Sequence, residues 1–115
     1  MDNKKIERVQ ALIQRNLSEI IQMEIKNPHL GFVSIPEVKV SKDFSHAKIY
    51  VSFVIENQAK EGMLVLEKSK GFIRSQLAKR MDTKRVPELT FILDDSFKKA
   101  EHLEELIAKA NKKVD

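Results

Sequence analysis

The sequence predicts an α+β fold in which helices pack on a small three-stranded sheet. Three observations predict it. Apolar residues recur at helical spacing over the first quarter of the chain, and they then alternate at the two-residue spacing of strands in two neighbouring segments. Helical spacing returns after these segments, and one more alternating segment and a last helical one follow it. This order is typical of a sheet whose third strand is reached through helices.

The first helix is predicted from about Lys4 to Lys26. Its apolar residues follow each other at steps of three and four, which places them on one stripe of an amphipathic helix. Asn27-Pro28 ends the helix because proline disfavours helical geometry in the residue before it. The members of the stripe are Ile6, Val9, Leu12, Ile13, Leu17, Ile20, Ile21 and Ile25.

A β-hairpin is predicted next. Val38 and Val40 alternate with polar residues, and the alternation resumes over residues 47–53 after a turn-like stretch at 42–45. β-Branched residues at a period of two are typical of strands, and a short loop between two strands makes a hairpin. Pro36 is expected at an irregular or edge position near the start of the first strand.

Helical spacing returns over about residues 58–81, with Gly71 in the middle. A glycine inside a helix costs about 1 kcal/mol relative to alanine. Gly71 is therefore either a tolerated weakness or part of a kink or close approach between two short helices, with Ser69-Lys70-Gly71 at the joint.

A third strand is predicted over Glu88–Leu93, directly after Pro87. Asp94-Asp95-Ser96 then offers N-cap residues for a last helix from about Phe97 to Lys112. Three phenylalanines are expected at core positions, namely Phe53, Phe72 and Phe91.

Composition excludes several kinds of protein. A length of 115 residues predicts one domain, residues 1–115, with an ordered core over about 4–110. The chain has no cysteine, which excludes disulfides, thiolate metal sites and thiol nucleophiles and fits a cytoplasmic location. No apolar stretch approaches the ~20 residues of a bilayer span. The histidines are scattered and the glycines are too far apart for a phosphate loop, so no enzyme, metal or cofactor is predicted.

The charge is distributed unevenly along the chain. The formal net charge is +4, yet residues 59–85 alone carry eight basic and three acidic side chains. A local excess of this kind attracts phosphate through charge and counterion release. A solvated lysine-rich helix that binds nothing acidic explains the same pattern, and charge alone favours neither interpretation. A second basic set, Lys4, Lys5, Arg8 and Arg15, lies on the first helix.

Five short motifs resemble, in order and spacing, the ribosome-binding factor A family of bacterial small-subunit assembly factors. The resemblance covers about Lys4 to Leu106. The motifs are Arg8-Val9, Asn27-Pro28-His29-Leu30-Gly31, residues 38–51 from Val38 through Phe44 to Val51, Gly71-Phe72-Ile73-Arg74, and Val86-Pro87-Glu88-Leu89-Thr90-Phe91 followed by Asp94-Asp95-Ser96.

The resemblance implies a type II KH-like fold, with the second hairpin strand in the centre and parallel to the third. It also implies a helical kink, usually alanine-any-glycine, in place of the glycine-rich loop of ordinary KH domains. Ser69 departs from that pattern. Asn27 and His29 stand where the family usually has aspartate and arginine, so His29 is not expected to contact RNA.

The resemblance further implies a function without catalysis. The family binds the immature small ribosomal subunit and its RNA, and supports late maturation and processing of the leading end of that RNA, especially in the cold. Its release is linked to a GTPase or to initiation factors. We therefore expect a cytoplasmic monomer with no membrane partner. Its expected partners are the small ribosomal subunit and its RNA, with a functional link to a ribosome-associated GTPase.

Seven basic residues are assigned phosphate contacts, and two residues are assigned to the kink. Arg74 and Arg8 match arginines of the family's motifs, and Lys70 lies four residues before Arg74 on the same helical face. The phosphate contacts are Arg8, Lys70, Arg74, Lys79, Arg80, Lys84 and Arg85, and the kink residues are Ser69 and Gly71.

The residues by themselves leave two alternative functions open. One is a general KH-like nucleic-acid-binding module with no ribosomal role. The other is a protein–protein adaptor that uses the basic segment for an acidic partner.

Replacing Arg74 and Arg80 by glutamate is predicted to weaken binding to the small subunit without unfolding the domain, because both charges are assigned to phosphates. Sedimentation of the variant with small subunits would measure this. Sedimentation at the wild-type level would contradict the assignment.

Overall fold

The computed structural model describes residues 3–82 and 85–94, and it confirms the α+β class. The predicted last helix, Phe97 to Lys112, lies outside the described residues, as does Lys84. In chain order the elements are α1 (Asn3–Met23), β1 (Val33–Val40), β2 (His46–Phe53), a short 3-10 helix (Glu56–Gln58), α2 (Ala59–Lys68), α3 (Lys70–Arg80) and β3 (Glu88–Leu93).

Strand β2 is the centre of a three-stranded mixed sheet. Its residue Ile49 lies opposite Val38 of the antiparallel strand β1 and opposite Phe91 of the parallel strand β3. A parallel neighbour cannot be reached by a tight turn, so the chain returns to the sheet through α2 and α3. The strand order implied by the family resemblance is therefore confirmed.

Strand β1 begins earlier than the sequence predicted, at Val33. Its pairing with β2 is irregular between Ser34 and Glu37, and Pro36 lies in that stretch on an edge strand. Proline has no N–H to donate, so an edge or a bulge tolerates it. The expectation for Pro36 is confirmed, and the same irregularity hid the start of the strand because it interrupts the two-residue period.

Helices α1, α2 and α3 cover one face of the sheet. α1 packs on β1 and α3, and α2 packs on β2 and β3. Along β2, Ala47, Ile49 and Val51 are fully buried, whereas His46 and Lys48 are exposed. Removing these apolar faces from water provides the main favourable free energy of folding. The helices contribute Ile13, Leu17, Ile20, Ile21, Val65, Leu66, Ile73 and Leu77 to this core, and β3 contributes Leu89 and Phe91.

Phe72 does not lie in the core, so that expectation was wrong. Its side chain is 44% exposed, whereas its neighbour Ile73 is fully buried. Successive residues in an α-helix point about 100° apart, so only one of the two can face inward. Phe91 is buried and Phe53 is half-buried and packs against the core, as expected.

Two helical glycines, Gly62 and Gly71, have opposite surroundings. A Cβ on Gly62 would overlap the ring of Phe53 and lie 3.0 Å from the carbonyl oxygen of Leu30. A Cβ on Gly71 would meet nothing within 4 Å. The close approach that the sequence suggested for Gly71 is therefore found at Gly62, where α2 crosses the hairpin.

Gly62→Ala is predicted to lower the free energy of unfolding by about 1–2 kcal/mol, because the added methyl group overpacks this contact. Gly71→Ala is the matched control, and it should raise the free energy of unfolding by about 1 kcal/mol, since alanine is the better helix former and the site is open. Urea denaturation followed by circular dichroism measures both. Similar effects from the two substitutions would contradict the difference in packing.

Candidate nucleic-acid interface

The joint between α2 and α3 is the single residue Ser69. Its backbone N–H donates to the carbonyl oxygen of Val65 at 2.9 Å, and its own carbonyl oxygen accepts from the N–H of Ile73 at 2.9 Å. The backbone hydrogen bonds therefore continue across the joint, although Ser69 itself departs from regular helical geometry with φ of −91° and ψ of 0°. Residues 59–80, here called the helix-kink-helix segment, contain four of the seven basic residues assigned to phosphate.

Lys70 and Arg74 both face β3. Lys70 Nζ lies 2.9 Å from a carboxylate oxygen of Glu67 and 5.8 Å from the centre of the Phe91 ring. Arg74 is half-buried, and its Nη2 donates to the carbonyl oxygen of Val86 at 2.9 Å. Both cations thus hold α3 to the segment that leads into and through β3.

Arg80 ties the end of α3 to the end of α1. Its Nη2 lies 3.6 Å from a carboxylate oxygen of Glu24, and its Nη1 lies 3.2 Å from the side-chain oxygen of Gln76. Arg74 and Arg80 therefore belong to the packing of α3. Replacing both by glutamate, as the sequence suggested, would not separate RNA binding from stability.

The other described cations assigned to phosphate are exposed and lie at separate places on the surface. Lys79 is exposed on α3 and makes no ion pair or hydrogen bond within residues 3–82 and 85–94. Arg85 is exposed in the loop before β3. Arg8 is exposed near the start of α1, far along that helix from the Glu24 side chain that contacts Arg80. The six of these residues that the structure describes therefore do not form one patch, and Arg8 stands apart from the α3 cations.

The two described histidines have carboxylate partners. His29 Nδ1 lies 3.1 Å from Glu61, and His46 Nε2 lies 3.2 Å from Glu88. Each is an exposed pair that links two elements. Within the described residues, no group of three or more histidine, aspartate or glutamate side chains could hold a metal ion.

An apolar end of the sheet was not predicted from the sequence. Phe32 and Val54 are 72% and 77% exposed, and the Val54 N–H donates to the Phe32 carbonyl oxygen at 3.1 Å. A groove beside Phe32 is lined by apolar and amide side chains and by no ionisable residue. The groove therefore supplies neither acid, base nor nucleophile. Among residues 3–82 and 85–94, none of the helices combines the length and the hydropathy that a membrane span requires.

Comparisons with known proteins agree with this architecture. Residues 5–107 match the family model described as ribosome-binding factor A. The chain belongs to the ribosome-binding factor A family. The factor of Macrococcus caseolyticus is 43% identical over 107 residues, which are 92% of this chain and 94% of that one. A Clostridium botulinum factor is 40% identical over 116 residues, covering 98% of this chain and all of its own.

Solved structures of ribosome-binding factor A have the same fold. The crystal structure of the Thermus thermophilus factor has a TM-score of 0.68 and 28% identity, and the match covers 76% of this chain and 93% of that one. A homology model of the Thermus thermophilus factor, fitted into a cryo-EM map of its 30S complex, has a TM-score of 0.65 and 28% identity over 75% of this chain and 91% of its own.

Arg74→Ala is predicted to lower the free energy of unfolding by about 1–2 kcal/mol, because it leaves the Val86 carbonyl oxygen without its donor and removes a half-buried side chain. Lys79→Ala is the control on the same helix, and its effect should stay within about 0.5 kcal/mol. Urea denaturation measures both values. Equal stabilities for the two variants would show that Arg74 does not hold α3 to the loop before β3.

Proposed function

We propose that this protein binds the free or immature small ribosomal subunit through its RNA and assists the late maturation of that subunit. The observation that carries the proposal is the family match over residues 5–107. The likeness to a relative fitted into a 30S complex supports it. The proposal treats the chain as a single binding domain over residues 1–115, with no catalytic step of its own.

The proposed mechanism is differential binding. A factor that binds an assembly intermediate more tightly than the mature subunit shifts the population toward the conformation it prefers. The free energy comes from phosphate contacts, since cations that neutralise phosphates release condensed counterions. Lys79 is the exposed α3 cation that suits this role best, and Lys84 and Arg85 would extend the contact beyond the helix. Lys70, Arg74 and Arg80 would add charge while they hold the helix in place.

The details of the proposed role are those that membership of the family implies. We propose that the protein supports processing of the leading end of small-subunit ribosomal RNA, contributes to growth in the cold, and acts as a cytoplasmic monomer whose release is linked to a ribosome-associated GTPase. No metal or cofactor enters this proposal.

Gradient sedimentation of cell extract tests the central proposal. The protein should travel with free small subunits and not with translating ribosomes. Unrelated structured RNA should compete poorly; effective competition would favour a general KH-like module. Binding that survives nuclease treatment would favour a protein adaptor instead.

Lys79→Glu is predicted to weaken binding to purified small subunits roughly three- to tenfold, because it replaces an attraction to phosphate by a repulsion. Lys48→Glu makes the same change in net charge on the opposite face of the sheet and should leave binding unchanged. Co-sedimentation measures the affinity of each variant, and urea denaturation checks that both fold. Equal losses would contradict a contact made through α3.

A further inference from the structure

The turn between β1 and β2 is tightly organised by Asp43. Its Oδ1 accepts hydrogen bonds from the hydroxyls of Ser41 and Ser45, both at 2.7 Å, and from the Ser45 N–H at 3.1 Å. The hydrogen bond from the Ser45 side chain, followed by that from Ser41, holds the pKa of the Asp43 carboxyl well below its usual range. Asp43 therefore stays ionised, and the three hydrogen bonds fix its carboxylate within the turn.

Phe44 has a left-handed backbone, with φ of 60°. This region is rarely adopted by bulky residues and persists where the surroundings hold it. Its ring lies under the ammonium group of Lys5, with 5.6 Å between Nζ and the ring centre. A second contact joins the same two elements, since the Val40 N–H donates to Gln10 Oε1 at 3.0 Å. The first turns of α1 are therefore held against the hairpin turn.

The contact between α1 and the hairpin turn brings together basic residues that are distant in the sequence. Lys4 and Arg8 are exposed and lie four residues apart, so they are neighbours on the α1 surface. Lys42 is exposed in the hairpin turn, two residues before Phe44, whose ring Lys5 covers. We call these four cations, Lys4, Lys5, Arg8 and Lys42, the hairpin-end cluster. Among the described residues, the acids near it are Glu7 on α1, Asp43 in the turn, and Glu88, whose N–H donates to the Ser45 carbonyl oxygen and whose carboxylate pairs with His46.

The hairpin-end cluster is remote from the exposed cation of α3. Arg80, next to Lys79, contacts Glu24 just after the last turn of α1, whereas Lys5 lies in its first turns. Glu24 lies 19 positions after Lys5 in the sequence, which corresponds to about 30 Å at 1.5 Å per helical residue. One ligand can meet both places only if it is an extended polyanion.

We propose that the hairpin-end cluster is a second RNA contact, which binds phosphates of small-subunit ribosomal RNA independently of the helix-kink-helix segment. The proposal rests on the proposed function and adds a second place of contact to it. Arg8 then acts with Lys4, Lys5 and Lys42, while Lys79 acts at the other end of α1.

The salt dependence of binding tests this proposal, because each phosphate contact that is lost reduces the slope of log K against log[salt] by about 0.7–0.9. The probe is purified free small subunits. The full-length variant Arg8→Gln with Lys42→Gln should lower the slope by about 1.5 and weaken binding at low salt by about tenfold. The charge-matched control, Lys39→Gln with Lys48→Gln, removes the same charge from the open face of the sheet, where the two lysines are cross-strand neighbours, and should leave the slope unchanged.

Each outcome decides between the proposals. If the hairpin-end variant keeps the wild-type slope while Lys79→Glu loses affinity, the second contact is overturned and the proposed function stands. If both double variants lower the slope equally, the effect is one of net charge and the cluster is no specific contact. If the unmodified protein fails to bind small subunits, both proposals fall. Urea denaturation must give the same stability for the hairpin-end variant and the wild type, as expected for exposed side chains.

Discussion

The central strand β2 is the constraint on which the rest of the structure depends. Both of its edges are paired, and Ala47, Ile49 and Val51 on its inner face are fully buried. A slip of one residue would turn these side chains to solvent, so the burial fixes the register of the sheet. The parallel pairing with β3 then requires a crossover, and the crossover is the helix-kink-helix segment. The pairing of β2 with β3 therefore positions both the core residues and the basic residues of α2 and α3.

The basic segment serves packing as well as charge. An arginine has a long apolar stem and several donors, so it can cover apolar surface and bridge elements at once. Arg74 bridges α3 to the loop before β3, and Arg80 bridges α3 to the end of α1. Lys79 has no such partner within the described residues. A count of positive charges along the chain cannot make this distinction, because a partner such as Glu24 lies 56 residues away from Arg80 in the sequence.

Most elements could be predicted because their signals are local. The stripe of α1, the alternation in β2 and β3, and the interruption near Ser69 depend on residues only a few positions apart. The start of β1 could not be predicted, since the irregular pairing at Pro36 interrupts the two-residue alternation of the strand. Phe72 and Ile73 show a second limit. Both are apolar neighbours in α3, and the position of α1 and the sheet decides that Ile73 is buried and Phe72 is exposed. Of the candidate site, the sequence identified the basic residues but not their grouping.

The sequence by itself determined the order of helices and strands from α1 to β3, the absence of cysteine chemistry, the excess of positive charge in residues 59–85 and the family resemblance. Each of these is a property of composition or of short-range spacing. Only the tertiary structure decided that Gly62 and not Gly71 is the close contact, which arginines support α3, and that Lys5 meets Phe44. These contacts join residues far apart in the chain, so they depend on the register of the sheet and on how the helices pack on it.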